Sequence, residues 1–254
     1  MTEPQSKNAE LHQPIYRLIV NEIEAMIANG QMTAGEPLPN EADLAARFGV
    51  NRSTIRESIR LLEDIGYVHR ISPRKLVVAV PTPAQLALRT SKALHLFGVT
   101  LREIWEVNLA IEPAMARAAA SRATEDQKAE LRRNVDQTAS RLSAGGPIDD
   151  LDHEFHRLLG EASNHAPLQL AREPFRDLFL DVVDGLVHHP GIGDRLLTAH
   201  GRIVEAIERG DPEVAEIWCR RHVLDFDRGC KLNGIDIDVP LEYGAATPSL
   251  GEPS

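Results

Sequence analysis

GEPLPNEADLAARFGVNRSTIRESIRLLEDIG, residues 35–66, decides how this chain is read. Glu41 to Phe48 is a short run of good helix formers that stops at Gly49. Asn51 can cap a second helix, and Thr54 with Glu57 has capping-box spacing one step further along. From Arg52 the period is helical. Ile55, Ile59 and Leu62 fall on one face, and Arg52, Arg56 and Arg60, flanked by Ser53, share the other. A helix, a tight turn and a second helix form a unit that can dock in DNA. Arginines at i, i+4 and i+8 with hydroxyls in the first turn suit a phosphate-lined groove, where N-terminal residues reach base edges. One such helix alone would read better as a solvated basic face. The helix before it and the strand pair after it favour DNA binding.

Working outward, Pro14 to Asn29 carries Ile15, Leu18, Ile19, Ile23, Met26 and Ile27 at helical spacing, and Gly30 ends that helix. Downstream, Tyr67–Ile71 and Lys75–Val80 read as two short strands around Ser72-Pro73-Arg74. Pro81-Thr82-Pro83 is a stiff linker. The predicted organisation is a disordered arm over 1–10, a winged helix-turn-helix domain over 11–80, the linker 81–83, an all-helical domain over 84–232 and a loose tail over 233–254. The fold class is mainly α, with about seven helices in the second domain at 83–96, 100–121, 124–143, 147–162, 165–187, 192–209 and 211–231. Pro174 should kink or split the fifth of these.

Composition bounds the function. At 254 residues, with 43% hydrophobic and 26% charged residues, the chain suits two ordinary globular domains. No apolar run approaches a membrane span and the first ten residues are too polar for a signal peptide, so the expected location is cytoplasmic. Cys219 and Cys230 sit about 16 Å apart on one predicted helix, too far for a disulfide. The net charge of −10 looks wrong for a DNA binder until it is divided. Residues 47–75 hold seven basic against three acidic side chains, while the acidic excess lies mostly beyond residue 76. The cationic surface is thus concentrated near the second helix of the motif.

The second informative pattern lies in the helical half. Asp152 and His156 are spaced i, i+4 beside the apolar stripe Phe155, Leu159 and Ala162. His200 is centred among Leu196, Ile203, Val204 and Ile207, and His222 among Ala215, Trp218, Cys219 and Phe226. His153, His188 and His189 read as surface residues. Any one buried histidine is ordinarily a neutral imidazole with one hydrogen bond. Four inward polar groups are harder to satisfy separately, and a shared divalent metal would satisfy all of them. Imidazole and carboxylate suit Zn, Ni, Mn or Fe. Chemistry alone leaves both readings open.

Residues 35–58 of the stretch quoted first resemble the GntR family of bacterial transcription regulators. Gly35, Leu38, Pro39, Glu41, Leu44, Ala45, Gly49, Val50, Arg52, Thr54, Ile55, Arg56, Glu57 and Ser58 stand in register with its pattern. The resemblance implies a winged helix-turn-helix in which Arg52, Ser53, Thr54 and Arg56 enter the major groove of a short inverted repeat, with Arg60, Arg74 and Lys75 as phosphate contacts. The wing tip lacks the usual glycine, and Ala42 stands where many relatives place a DNA-contacting arginine. The helical half is similar to the FadR C-terminal (FCD) domain of one GntR subfamily, a bundle of six or seven helices that binds an effector and carries dimer contacts. That resemblance implies a metal on Asp152, His156, His200 and His222. It also places Asn164 at an asparagine often found near the effector, and Asn108 where many relatives carry an arginine for an effector carboxylate. The implied protein is a homodimeric, ligand-responsive regulator, more often a repressor, with a small effector, most simply a carboxylate. Two rivals stand beside it. In one, a structural metal or none accompanies a larger, lipid-like effector. In the other, a metal-dependent hydrolase would need an additional inward carboxylate as base, and none was placed.

Overall fold

The computed structural model describes residues 13–72, 75–186 and 191–241. The chain divides into two compact units, residues 1–86 and 87–254.

The first unit is built on three helices and a small sheet: α1 (Ile15–Ala28), α2 (Glu41–Phe48), α3 (Arg52–Ile65), β1 (Val68–Ser72) and β2 (Lys75–Val78). Asn40 caps α2 by accepting from the Ala42 and Asp43 amides, and Gly49 ends it in the left-handed region at φ 65°. Only a residue without a Cβ adopts that turn at no steric cost, and it sets the start of α3. The cap of α3 is Asn51 itself, not a Thr54–Glu57 box. Ile55, Ile59 and Leu62 are buried as the periodicity requires, together with Ile19, Val20, Ile23 and Met26 of α1 and Leu44 of α2. Ser58 joins this face because its hydroxyl donates to the Thr54 carbonyl.

β1 and β2 pair antiparallel, with an irregularity between Arg70 and Ser72 that leaves Ile71 exposed. A third segment, unforeseen in the sequence, joins them. The Gly35 amide donates to Val78, Leu38 to Leu76, and Val78 back to Glu36. The residues ahead of α2 therefore pin the wing. Pro73 and Arg74, at the wing tip, lie outside the described residues, as do residues 1–12.

The second unit contains α5 (Leu101–Arg122), α6 (Glu125–Ser143), α7 (Asp149–Ala162), α8 (Ala166–Leu186), α9 (Ile192–Glu208) and α10 (Pro212–Leu232); α4 (Pro83–Leu96) leads into it. These bounds agree with the predicted helices to within two residues. Thr100 with Glu103 and Thr124 with Gln127 close capping boxes at α5 and α6, and Asp211 caps α10 ahead of Pro212. α5 is the central helix, packed on α7, α8, α9 and α10. Gly160 lets α7 approach it closely, since a Cβ there would meet the Met115 methyl at 2.8 Å.

α8 runs through Pro174 as one helix and is not split there, and the Pro174 carbonyl accepts from Ser91 Oγ at 2.6 Å. The inward face of α5 carries Ile104, Asn108, Glu112, Met115 and Ala119, with Ile111 half-buried. The tail is not loose from its start. Ile237 is buried against Leu101 and Cys230, the Arg102 amide donates to the Ile237 carbonyl, and Arg102 pairs with Asp238. Ile235-Asp-Ile-Asp-Val239 alternates at the period of an extended segment, a signal too short to stand out among the Gly and Pro around it. Both cysteines are free, as expected.

Replacing Ile55, fully buried in α3, with Ala should destabilise the first unit by about 2–5 kcal/mol in urea denaturation. A loss within about 0.5 kcal/mol would mean that this face is not packed as described.

Candidate DNA-reading helix and metal centre

α3 presents Arg52, Ser53, Arg56 and Arg60 to solvent, with Thr54 half-buried, opposite its core face; Lys75 is exposed at the start of β2. The first turn is tightly organised. Asn51 Oδ1 accepts from the Thr54 amide at 2.8 Å, Thr54 Oγ1 at 2.9 Å and Ser53 Oγ at 2.6 Å. Both hydroxyls therefore help to hold the helix start. Arg56 Nε donates to Glu41 Oε2 at 2.8 Å, which ties α3 to α2, whereas Arg52 and Arg60 have no ion pair among the described residues.

In the second unit Asp152 and His156 come from α7, His200 from α9 and His222 from α10, and their ligand atoms lie within 4.8 Å of one another. His222 Nε2 is 3.2 Å from His156 Nε2 and 3.3 Å from His200 Nε2. Asp152 Oδ1 is 3.5 Å from His200 Nε2 and 3.8 Å from His156 Nε2. The expected quartet converges. Phe155 stacks on His200 with ring centroids 3.5 Å apart and fixes its plane.

Hydrogen bonding among these atoms cannot satisfy them. Asp152 Oδ1 and His200 Nδ1 are buried without a partner. Burial, reinforced by the neighbouring imidazoles, holds His200 well below its ordinary value and His222 at about 3, so both are neutral and present lone pairs. Burial likewise raises the Asp152 carboxyl, a penalty that a cation beside it would remove. A cation about 2.1 Å from each donor needs neighbouring donors roughly 3.0–3.4 Å apart, close to the shorter spacings seen here. The donor set fits a divalent metal.

One charged group at the site escaped the sequence reading. Glu112 is 3% exposed; its Oε2 is 2.7 Å from His156 Nδ1 and its Oε1 2.8 Å from Arg172 Nε. Burial opposes its charge, yet His156 and Arg172 hold it well below the usual carboxylate range. His156 is raised despite its own burial, chiefly by Glu112. The signal was present, since Glu112 lies one turn beyond Asn108 on the inward face of α5. The absence of an inward carboxylate, used against a hydrolase, is thus corrected, but both Glu112 oxygens are engaged and neither is a free base.

Asn108 is 5% exposed, and its amide makes no hydrogen bond among the described residues. Asn164 goes elsewhere. It ends α7 at φ 44°, and its amide donates to the Arg122 carbonyl at 3.0 Å and to Gln127 Oε1 at 2.9 Å. It ties three helices together and is not brought into the cluster. His153 is half-buried, not a surface residue, and His188 and His189 fall outside the described residues. A groove of about 350 Å³ between α9 and α10, lined by Arg195, Thr198, Trp218, Arg221 and Asp225, reaches His222.

Residues 15–78 match the family described as bacterial regulatory proteins, gntR family, and residues 103–225 match the FCD domain. The chain is 28% identical over 239 residues to the Glc operon transcriptional activator of Escherichia coli, covering 89% of this chain and 91% of that protein. It is 27% identical over 220 residues to the transcriptional repressor NanR of Cronobacter sakazakii, covering 81% of each. A solved Streptococcus agalactiae GntR structure superposes with a TM-score of 0.66 at 23% identity, over 84% of this chain and 99% of that one; it supports the fold. The relatives are transcription regulators and not enzymes. No described helix is long and apolar enough to cross a membrane. The chain belongs to the GntR family of DNA-binding transcription regulators, with an FCD effector-binding domain as its second half.

Proposed function

We propose that this regulator binds a short inverted repeat as a homodimer and senses a small carboxylate beside a divalent metal held by Asp152, His156, His200 and His222. The observation that carries the reading is the convergence of three imidazole Nε2 atoms and one orphaned carboxylate oxygen in a buried space. The metal, when bound, supplies a Lewis-acidic anchor for an anionic oxygen. The chain's own residues do the rest. With the cation, the formal charges of Asp152, Glu112 and Arg172 leave one positive charge in the buried site, which an effector carboxylate would neutralise. Asn108, an inward amide without a partner among the described residues, supports a neutral hydrogen-bonding contact with the same molecule. The α9–α10 groove, with Arg195 and Arg221 on its walls, is the approach route.

On the DNA side, Arg52 and Arg56 are assigned to base edges, and Arg60, Arg74 and Lys75 to phosphates, with Ser53 and Thr54 at the helix start. Leu96 and Phe97, 90% and 81% exposed at the end of α4, support a partner surface on a second copy. Effector and operator are coupled by linkage. A ligand that prefers the arrangement incompetent for DNA lowers operator affinity, and repression relieved by ligand is the proposed sign. The Glc operon relative is named an activator, so the sign is checked by transcription from the operator with and without effector.

Arg52→Ala should weaken specific operator binding by about 1–3 kcal/mol at fixed salt, and Arg60→Ala should lower the salt slope by about one while leaving sequence preference intact. Operator affinity unchanged in both variants would remove the docking scheme. His200→Ala should purify with its divalent metal depleted by elemental analysis, and chelation should lower the wild-type melting temperature by an amount that grows with the logarithm of metal affinity. Full occupancy in His200→Ala would show that the ligand set is misassigned.

A further inference from the structure

The proposed quartet leaves two buried charged side chains without a role. Glu112 on α5 and Arg172 on α8, whose side chain is 11% exposed, pair at 2.8 Å. A buried ion pair is weak evidence for stability, because apolar residues of the same volume often do as well. Its placement is more telling than its energy. One Glu112 oxygen faces Arg172 and the other faces His156 Nδ1 at 2.7 Å, on the ring whose Nε2 looks into the cluster. A single line of contacts therefore runs from α8 through α5 to a ligand on α7.

A carboxylate held against an imidazole Nδ1 favours the tautomer with its proton there and leaves Nε2 for a metal. His156 Nδ1 meets Glu112 Oε2 in such an ion pair. His200 Nδ1 faces no carboxylate among the described residues, and its ring is held by Phe155. α8 contributes no ligand to the quartet and packs on α5 and α7. Resting on the metal reading above, we infer that Glu112 and Arg172 are positioning residues: Glu112 orients His156 for the cation and Arg172 fixes Glu112, so that metal binding and the docking of α8 are coupled. The coupling is reciprocal. Whatever displaces α8 weakens the metal, and filling the site steadies α8.

The test uses the full chain stripped by chelator. Wild-type protein is titrated with Zn(II) against a chromophoric competitor, and with Co(II) for its visible absorption. One equivalent bound by wild type and lost in His200→Ala keeps the metal reading; no binding removes that reading and this inference with it. The double variant Glu112→Gln/Arg172→Gln removes both buried charges, so neither is orphaned. With far-ultraviolet dichroism unchanged, its Zn(II) affinity should fall about 10–100-fold, and its Co(II) spectrum should shift. Wild-type affinity and spectrum in the folded double variant would overturn the proposal. A second measurement needs no variant. Zn(II) should slow amide exchange over residues 166–176 as well as over α7. Protection of α7 and α9 with no change over 166–176 would overturn the coupling.

Discussion

The Nε2 atoms of His156 and His200 lie 3.2 and 3.3 Å from that of His222, and beside them Asp152 Oδ1 is buried without a hydrogen-bond partner among the described residues. The second unit is arranged around that constraint. Asp152 and His156 share a helix face because i and i+4 stack, while His200 and His222 arrive from the last two helices on faces that are otherwise apolar. Packing then removes their freedom. Phe155 lies flat on His200, Trp105 Nε1 of α5 donates to the Val223 carbonyl beside His222, and Gly160 admits α5 against α7. Interiors this dense do not deform gradually, so a change at the centre is passed to the helices that frame it.

Most of this was legible from residue order because both halves rest on strong local signals. Asn40, Gly49 and Asn51 punctuate the DNA-reading unit, and the helical half declares itself through Thr100, Thr124, Asp211 and unbroken apolar periods. The quartet was legible because its members are polar residues on apolar faces. Glu112 obeyed the same rule and was passed over, since a lone acidic residue on a long helix reads by default as solvated. Its partner Arg172 lies sixty residues away, and no local pattern joins them. Asn164 carries a structural task that residue order did not show, through its left-handed backbone and its bonds to Arg122 and Gln127. The third segment of the wing and the docked residues 233–241 are long-range pairings, which short apolar alternations announce only weakly.

Family membership and individual chemistry separate at α5. On α5, Asn108 is an inward amide and Glu112 an inward carboxylate that pairs with Arg172 of α8 and with His156 of α7. Charge beside the ligands is thus balanced across three helices. A shared fold fixes where such residues can stand, but not which chemistry they supply.

The cap of α3 has a consequence for the surface beside it. Asn51 Oδ1 takes the hydrogens of both the Ser53 and Thr54 hydroxyls. A hydroxyl turns about its C–O bond, so either one can leave Asn51 and give or take a hydrogen bond elsewhere. The Thr54 amide stays on Asn51 Oδ1 throughout, so the helix start keeps its cap while the two hydroxyls are exchanged.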